Sequence, residues 1–332
     1  MRGMSILRAA LLAGLAVTAS VSSALAADPF KVVAFAGASN WPFWVGQEKG
    51  FFQKNGLDVT LSITPNSVEM AKNLYAGAFD LALTSVDNVI AYDEGQGETE
   101  LSGPADFVAL FGVDNGLLHI MASPDIKTIA DLKGKTLSVD AMTTGFAFVL
   151  RDALAKAGVA EKDVTWVRVG GGAQRLGALL EKKQDATLLN TPLDLTAEAK
   201  GFKRLQSSSE ALGAYQGIVA TTRRSAAAAK RTEIVAFTKG FKASIDWLAD
   251  PANREEALGM LVKNMRGMER PAAELAYAKL LDAKTGIYRD LRIDREGMKT
   301  VLRLRSAYAE PKKNLTDPEK YIDESFRDAA MK

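Results

Sequence analysis

The sequence predicts an α/β fold of two lobes, followed by a helical C-terminal tail. Its 332 residues suffice for two domains of ordinary size, about 100–150 residues each. The first half alternates short β-rich runs with amphipathic stretches, which is typical of mainly parallel sheets. After residue 221 the pattern becomes helical. Because this tail has no sheet of its own, we expect it to pack on the first lobe.

The first lobe begins with three strand–helix units. Gly56 is placed to end the first helix, and Asn66 with Glu69 three residues later resembles a capping box. Ser85 or Asp87 is suited to cap the third helix. The predicted strands cover residues 31–35, 57–63, 79–84 and 107–113. The predicted helices cover residues 42–55 and 68–76, and a third helix follows Ser85 or Asp87 and runs through Tyr92.

A second series of strands and helices follows and defines the second lobe. Gly158 is placed to end its first helix, and Gly170–Gly172 break a strand. The predicted strands cover residues 117–121, 136–139, 164–169 and 186–189, and the helices cover 145–157 and 173–182. A strand at 217–221 then precedes the helical part. The chain is therefore expected to leave the first lobe near residue 113 and to return near residue 217.

The tail opens with a buried helical stripe that Pro251 ends. The stripe repeats apolar or small residues at intervals of three and four: Ile234, Phe237, Thr238, Phe241, Ile245 and Leu248. Further helices are predicted at residues 255–263, 271–281, 294–307 and 318–330.

The first 26 residues have the pattern of a cleaved signal peptide. Arg2 and Arg8 give a positive start, a short apolar core follows, and Ala-Leu-Ala ends at Ala26. The alternative is an N-terminal membrane anchor, for which the apolar core is short. No Cys follows the core, which excludes a lipid-anchored protein. We therefore expect export to the periplasm with cleavage near Ala26.

Charge and cysteine content exclude several classes of protein. Removal of residues 1–26, which carry two Arg and no acid, leaves equal numbers of basic and acidic residues. A nucleic-acid-binding protein ordinarily keeps a basic surplus, so we expect no nucleic-acid partner. The absence of Cys excludes disulfides, thiolate metal sites and Cys nucleophiles.

Catalytic signals are weak. His119 is the sole His and falls in a predicted strand, where a structural role is the better interpretation. No Gly-x-Ser-x-Gly is present, and the glycines at 170–172 lack nucleotide-binding spacing. We therefore expect no catalytic residues, no metal and no cofactor.

Candidate ligand contacts lie where predicted strands open into helices, since ligands of open α/β sheets bind there. Hydroxyls, glycines and free N–H groups at helix starts suit anions or carboxylates, and an Arg side chain would add a bidentate contact. The alternative is that these residues cap helices, that Trp41 packs inward and that Arg175 lies on a solvated face. Four such strand-to-helix connections carry small or polar residues. They are Gly37, Ser39, Asn40 and Trp41; Thr84, Ser85 and Asp87; Met142, Thr143, Thr144, Gly145 and Phe146; and Gly170–Gly172 with Gln174 and Arg175.

Several segments resemble one family in the same order along the chain. Residues 41–52 (WPFWVGQEKGFF) and 55–59 (NGLDV) are similar to the first helix and second strand of the ABC-transporter solute-binding proteins of the nitrate/sulfonate/taurine group, which also includes thiamine-precursor binders. Residues 77–82 (GAFDLA) resemble the third strand of this family, and 131–136 (DLKGKT) resemble the entry to the second lobe. Residues 247–251, 253–257 and 321–323 resemble its C-terminal helices.

The resemblance implies a type II periplasmic-binding-protein fold, with two lobes joined by two crossover strands. It implies lobe 1 from residues 27–113 and 217–332, and lobe 2 from residues 114–216. It further implies a monomer that closes on a small solute, anionic and sulfonate-like or heteroaromatic, and docks on an inner-membrane ABC permease with its cytoplasmic ATPase. The implied contacts are Ser39, Asn40, Trp41, Ser85, Val86, Asp87, Thr143, Thr144, Gly145, Phe146, Arg175, Asn190 and Thr191.

The resemblance leaves two alternatives. Thiamine-pyrimidine synthases use the same fold for catalysis, but they depend on His and Cys clusters, and this chain has one His and no Cys. We therefore expect no enzyme. A binding protein that delivers its solute to a membrane sensor instead of a permease would have the same sequence features.

Overall fold

The computed structural model describes residues 28–265 and 267–332, so the predicted signal peptide lies outside the described residues. This part of the chain forms ten strands and thirteen α-helices. The strands are β1 (Phe30–Ala34), β2 (Val59–Ile63), β3 (Leu81–Ser85), β4 (Phe107–Gly112), β5 (Leu118–Ala122), β6 (Thr136–Val139), β7 (Thr165–Arg168), β8 (Ala186–Asn190), β9 (Lys203–Ser207) and β10 (Ile218–Arg223). The helices are α1 (Trp41–Glu48), α2 (Ser67–Tyr75), α3 (Val86–Asp93), α4 (Gly145–Lys156), α5 (Gly172–Leu180), α6 (Leu193–Ala199), α7 (Ser208–Leu212), α8 (Arg224–Ala229), α9 (Arg231–Ala249), α10 (Arg254–Asn264), α11 (Arg270–Leu280), α12 (Arg295–Tyr308) and α13 (Ser325–Ala330). None of the described helices combines the length and apolar character needed to cross a bilayer.

The strands form two five-stranded sheets with the same topology. The first sheet has the order β2-β1-β3-β10-β4, and the second has the order β7-β6-β8-β5-β9. We call the structure around the first sheet the first lobe and that around the second sheet the second lobe. Pairs within each strand–helix series are parallel, whereas β10 and β5 run antiparallel to their neighbours. The sheets are therefore mixed, because the strand that follows each crossover enters its sheet in the opposite direction.

The two crossover segments lie side by side and bond to each other. Val113 N–H donates to the Ile218 carbonyl at 2.8 Å, and Gly217 N–H donates to the Asp114 carbonyl at 3.0 Å. The buried Asp114 carboxylate also accepts hydrogen bonds from Ser39 Oγ at 2.6 Å and from Gly116 N–H at 2.7 Å. The Ser39–Asp114 hydrogen bond therefore links the crossover segments to the loop between β1 and α1.

Local signals in the sequence are confirmed where they involve neighbouring residues. Asn66 Oδ1 accepts from Glu69 N–H at 2.8 Å and starts α2. Ser85 Oγ accepts from Asp87 N–H at 3.3 Å and starts α3. The stripe from Ile234 to Leu248 is buried along α9, as its spacing predicts.

The predicted helix over residues 42–55 is wrong in its second half. The helix α1 ends at Glu48, and Gly50 adopts a left-handed conformation with φ of 69°. A separate short 3-10 turn covers Gln53–Asn55, and Gly56, with φ of 74°, ends it. The interruption lets Phe52 turn inward, where its side chain is fully buried.

Other predicted boundaries fail where long-range pairing decides them. The helix predicted over 318–330 is a 3-10 turn, Glu319–Tyr321, followed by α13. Between them the chain pairs beside β4, where Asp323 N–H donates to the Ala109 carbonyl at 2.9 Å. The elements α6, β9, α7 and α8 were not predicted, and β9 is a half-exposed edge strand without clear alternation.

Aromatic side chains fix the tail helix α9 on the first lobe. Phe237 stacks on Phe52 with ring centroids 5.2 Å apart and lies 5.7 Å from Phe30 and 6.4 Å from Phe111. All four rings are buried, so they exclude water between α9 and the sheet. The helical tail thus packs on the first lobe as predicted, and α12 contacts α4 of the second lobe in addition.

Glu94 ties the end of α3 to the last part of the chain. Its carboxylate accepts hydrogen bonds from Lys313 at 2.8 Å, from Tyr321 at 2.7 Å and from Lys320. Burial raises the pKa of Glu94, but these hydrogen bonds outweigh burial and hold the pKa at about 2, below its ordinary value of 4.5. The ionised form is therefore the one that the folded protein stabilises.

We expect Glu94→Gln to lower the free energy of unfolding by about 1–3 kcal/mol at neutral pH, because hydrogen bonds to a charged group are lost. Because folding depresses the pKa of Glu94, its contribution is present above pH 4.5 and disappears as the pH falls through about 2. Urea unfolding of both proteins at a series of pH values measures this. A difference that stays constant down to the lowest pH would contradict the assignment.

Candidate functional site

A cleft of ≈ 590 Å³, including its opening to solvent, lies between the two lobes. It is bounded by residues at strand ends and helix starts of both sheets, as ligand sites of open α/β folds are. Its walls are formed by Phe35, Ala36, Ser85, Asp87, Asn88, Gly116, Asp140, Thr144, Gly145, Phe146, Gly171, Gly172, Arg175, Asn190 and Ile218.

Hydrogen bonds join the two lobes around this cleft. Gly171 N–H donates to the Pro65 carbonyl at 2.8 Å, and Ser67 N–H donates to Asp140 Oδ2 at 3.1 Å. Gly145 N–H donates to Asp87 Oδ2 at 2.5 Å. Each bond joins a residue of the first lobe to one of the second, so the structure shows the cleft in a closed form.

The start of α4 receives its anionic partner from the other lobe. Thr144 precedes α4, but its hydroxyl donates to the Ala141 carbonyl at 3.0 Å and does not cap the helix. The Asp87 carboxylate accepts the Gly145 N–H instead. Burial raises the pKa of Asp87, and the guanidinium of Arg305, at 2.7 Å from both carboxylate oxygens, opposes that rise.

The start of α5 has no side-chain cap. Gly171 and Gly172 open this helix directly at the cleft. A Cβ on Gly172 would lie 2.9 Å from Leu193 Cδ1 and 3.1 Å from the Asn190 amide oxygen, so the close approach of these side chains requires glycine. Unpaired N–H groups and the helix dipole make such a start favourable for an anion.

Arg175 lies one turn into α5 and is almost fully buried beside the cleft. Its guanidinium donates to the Gly170 carbonyl at 2.6 Å and to the Leu188 carbonyl at 3.0 and 3.2 Å. Among the described residues it has no carboxylate partner within 4.0 Å. Burial lowers its pKa to about 10, which Asp140 partly offsets, so Arg175 stays charged at neutral pH. A buried cation without an ion pair thus borders the cleft.

The remaining walls of the cleft supply apolar surface and one carboxylate oxygen that accepts no hydrogen bond in the described structure. Phe35 follows β1 in the first lobe, and Phe146 lies in the first turn of α4 in the second lobe. Asp140 follows β6, and its Oδ1 is buried without a hydrogen-bond partner in the described structure. Burial raises the pKa of Asp140, and Arg175 counteracts part of this.

Seven of the thirteen predicted contact residues line the cleft. They are Ser85, Asp87, Thr144, Gly145, Phe146, Arg175 and Asn190. The other six lie behind its walls or elsewhere: Ser39, Asn40, Trp41, Val86, Thr143 and Thr191.

These six residues have other contacts in the structure. Trp41 is fully buried and packs edge-on against Tyr277 with centroids 5.8 Å apart, so it has no face towards the cleft. Thr143 binds Glu98 through its hydroxyl and its N–H. Asn40 Nδ2 donates to the Phe35 carbonyl at 2.7 Å, while Ser39 donates to Asp114, as described above. Val86 and Thr191 are fully buried.

Sequence reasoning did not include Phe35, Asp140 or Ile218 among the contacts. Phe35 and Asp140 are the first residues after β1 and β6, so the rule that ligands bind beyond strand ends would have found them. Ile218 lies on the returning crossover strand, and no local pattern marks it. His119 does not line this cleft, and it contacts Asp194, with Nδ1 and Oδ2 3.1 Å apart. No group of His, Cys, Asp and Glu in the described residues is arranged to hold a metal.

Solved structures share this architecture over most of the chain. A protein of Bordetella bronchiseptica RB50 has a TM-score of 0.75 at 21% identity, covering 91% of this chain and 96% of that one. The periplasmic nitrate-binding protein of Synechocystis PCC 6803 has a TM-score of 0.74 at 16% identity, covering 91% and 88%. The alkanesulfonate-binding protein of Xanthomonas axonopodis pv. citri, bound to MOPS, has a TM-score of 0.68 at 17% identity, covering 88% and 96%. The fold is therefore that of the periplasmic binding proteins.

Sequence comparison identifies the family. Proteins of Brucella abortus, Brucella suis and Brucella melitensis that are named binding proteins are 31% identical over 151 residues, which is 45% of this chain and 43% of each of theirs. The chain thus spans less than half the length of these curated relatives in the alignment. The family model described as NMT1/THI5 like matches residues 38–254, well over half of the chain. The chain belongs to the NMT1/THI5-like family.

Proposed function

We propose that this protein is the solute-binding component of an ABC importer and that it captures a small anionic solute between its lobes without altering it. The observation that carries the proposal is Arg175 at the start of α5, a buried cation that forms no ion pair within 4.0 Å in the described part of the chain. Leaving such a charge unpaired is unfavourable, and an anionic group of the solute would pair with it.

Two kinds of donor support a site for the anionic group of the solute at α5. The N–H groups after Gly171 point out of the first turn, and the Arg175 guanidinium lies beside them. The α4 start is less suitable, since the Asp87 carboxylate already accepts its first N–H. A carboxylate or sulfonate at α5 accepts charge-assisted hydrogen bonds, which are about twice as strong as neutral ones.

The rest of the solute is expected to be flat or apolar and to carry a hydrogen-bond donor. Phe35 and Phe146 supply aromatic surface from the two lobes, and a ring favours such contacts. The buried, unpaired Oδ1 of Asp140 would accept a hydrogen bond from an N–H or O–H of the solute. These features favour an aromatic or heteroaromatic acid or a sulfonate over a bare inorganic anion.

Capture requires no chemistry on the solute. A solute that touches α3 and β1 of the first lobe and α4 and α5 of the second makes both sets of contacts only when the lobes are closed, so binding shifts the population to the closed form. A micromolar dissociation constant corresponds to about −8.2 kcal/mol. A few buried hydrogen bonds and one aromatic contact supply this after ordering costs.

The wider assignments rest on the family and on the lobed structure. We propose lobe 1 as residues 27–113 with 217–332 and lobe 2 as residues 114–216, the boundaries lying at the two crossovers. Export to the periplasm, a monomeric state, and docking of the closed form on an inner-membrane permease with its ATPase belong to the same proposal. An enzyme of the same fold is disfavoured, because neither His nor Cys lines the cleft.

A thermal-shift screen tests the function. The solutes are aliphatic sulfonates, nitrate, aromatic carboxylates and pyrimidines, each at a saturating concentration. A ligand at 100 times its dissociation constant stabilises the folded state by about 2.7 kcal/mol, which raises the unfolding midpoint by several degrees. We expect acids with a ring to give the largest shift. Failure of every class, or recovery of a chemically altered solute by mass spectrometry, would overturn the proposal.

A further inference from the structure

We propose that the acid captured in the cleft also carries a protonated nitrogen, and that Asp140 selects such zwitterions by pairing with that nitrogen. This inference rests on the proposed function, because it assumes that an acid group of the solute binds beside Arg175. It adds a second charged group to the solute and makes Asp140 the residue that determines specificity.

Three charged side chains line the cleft in the described structure, and one of them is already neutralised. They are Asp87, Asp140 and Arg175. Both oxygens of Asp87 lie 2.7 Å from the guanidinium of Arg305, and Asp87 also accepts the Gly145 N–H. The Asp140 carboxylate and the Arg175 guanidinium are therefore the two opposite charges that the walls present to a solute.

The strands that carry these two groups to the cleft are neighbours. β6 and β7 pair in parallel, and at their ends Val169 N–H donates to the Val139 carbonyl at 2.9 Å. Asp140 follows Val139, and the Arg175 guanidinium is held at Gly170, whose carbonyl accepts from it at 2.6 Å. Since neighbouring strands lie about 4.8 Å apart, a solute with opposite charges a few bonds apart can contact both side chains.

The protein satisfies neither group completely. Three of the five N–H donors of Arg175 are bonded to the Gly170 and Leu188 carbonyls, and the other two have no partner in the described residues. Asp140 Oδ2 accepts the Ser67 N–H at 3.1 Å, whereas its Oδ1 is buried and accepts no hydrogen bond in the described structure. Each group thus has capacity left for a charged partner on the solute.

An acid without a positive group would satisfy only one side of this arrangement. Its negative charge would pair with Arg175, but Asp140 would stay in the closed cleft as a carboxylate with an unpaired oxygen, which is unfavourable. A protonated nitrogen removes this cost, because it donates a charge-assisted hydrogen bond to Asp140 Oδ1. Selection against the simple acid therefore comes from an unpaired charge in the wall.

Two series of matched acids test the inference in the unsubstituted protein. The first is L-phenylalanine, 3-phenyllactate and 3-phenylpropanoate, and the second is 3-(aminomethyl)benzoate, 3-(hydroxymethyl)benzoate and 3-methylbenzoate. Within each series an ammonium group is replaced by a hydroxyl group and then by a group without a donor. By titration calorimetry at neutral pH, we expect the ammonium member to bind about 30-fold more tightly than the member without a donor, because a buried charge loses its partner.

Asp140→Asn removes the charge at nearly constant shape, and we expect it to abolish most of the preference for the ammonium member. Asp125→Asn is the matched control, because Asp125 belongs to the same lobe and its side chain is 71% exposed. We expect this control to keep the full preference, since water and salt screen an exposed charge. A general change in stability or closure alters the affinity of all members alike, so it leaves the preference within a series unchanged.

The outcomes separate this inference from the proposed function. Equal affinity of the three members of each series would overturn the selection of zwitterions, while the capture of an acid at α5 would stand. An undiminished preference in Asp140→Asn would overturn the role of Asp140. If no acid of these series or of the thermal-shift screen bound, the proposed function itself would fail, and this inference would fail with it.

Discussion

Gly217→Ala is expected to lower the free energy of unfolding by about 3 kcal/mol, the upper part of the range for overpacked interiors. Gly217 lies on the returning crossover, directly against the outgoing one. A Cβ at this position would meet Gly116 N at 1.9 Å and Gly116 Cα at 2.3 Å. These are backbone atoms, which no change of rotamer can move away. The two crossovers would therefore have to separate at the joint between the lobes.

Gly259→Ala is the control for this substitution. Gly259 lies within α10, and, apart from its chain neighbours and the nearby backbone of its own helix, no described atom lies within 4 Å of the Cβ that alanine would add. Alanine at an open helical position is expected to stabilise by about 0.5–1 kcal/mol relative to glycine. The two glycine-to-alanine changes should thus have opposite signs in urea unfolding. If Gly217→Ala were as stable as the unsubstituted protein, the crossovers would not be packed as described.

Arg175→Met is expected to weaken solute binding by about 2–5 kcal/mol, which is roughly a 30-fold to several-thousand-fold rise in the dissociation constant. Methionine keeps an unbranched side chain that reaches about as far as Arg Nε but lacks the guanidinium, so the charge and the donors are removed. The solute's anionic group would then lie in the closed cleft without its cation. Titration calorimetry with the ligand that gives the largest thermal shift measures the change.

The control for Arg175→Met is Lys183→Gln. Lys183 follows α5, and its side chain is 69% exposed, so it carries the same charge on the same lobe but in water. We expect unchanged affinity, because solvent and salt screen an exposed charge. If both variants bound the solute as tightly as the unsubstituted protein, the anionic group would not lie at α5. Circular dichroism of each variant confirms that the fold is intact.

Local patterns in the sequence predicted the elements that neighbouring residues control. Asn66 and Glu69 are three positions apart, and their capping bond depends only on the first turn of α2. The apolar stripe of α9 has the period of a helix and needs one buried face, which the first sheet provides. The α/β class, the second group of strands and the helical tail follow from patterns of this kind.

Contacts between distant parts of the chain could not be predicted in this way. Trp41 follows the first strand, and an aromatic residue at such a position is equally suited to contact a ligand or to pack in the core. Its contact with Tyr277, which is distant in sequence, shows that it packs in the core. Arg305 is 218 positions from Asp87, and nothing near it in sequence indicates a partner. The 3-10 turn in place of a longer helix at residues 318–330 depends on pairing with β4, some 200 positions earlier.

The sequence by itself determined the class of fold, the order of the elements and about half of the residues that line the cleft, because periodicity, caps and strand ends are local properties. Only the tertiary structure decided which side chains face the cleft, which helix start is free for an anion and which is already occupied by Asp87. The physical reason is that burial and charge pairing depend on the packing of the two lobes against each other, and that packing joins residues that no short stretch of sequence contains.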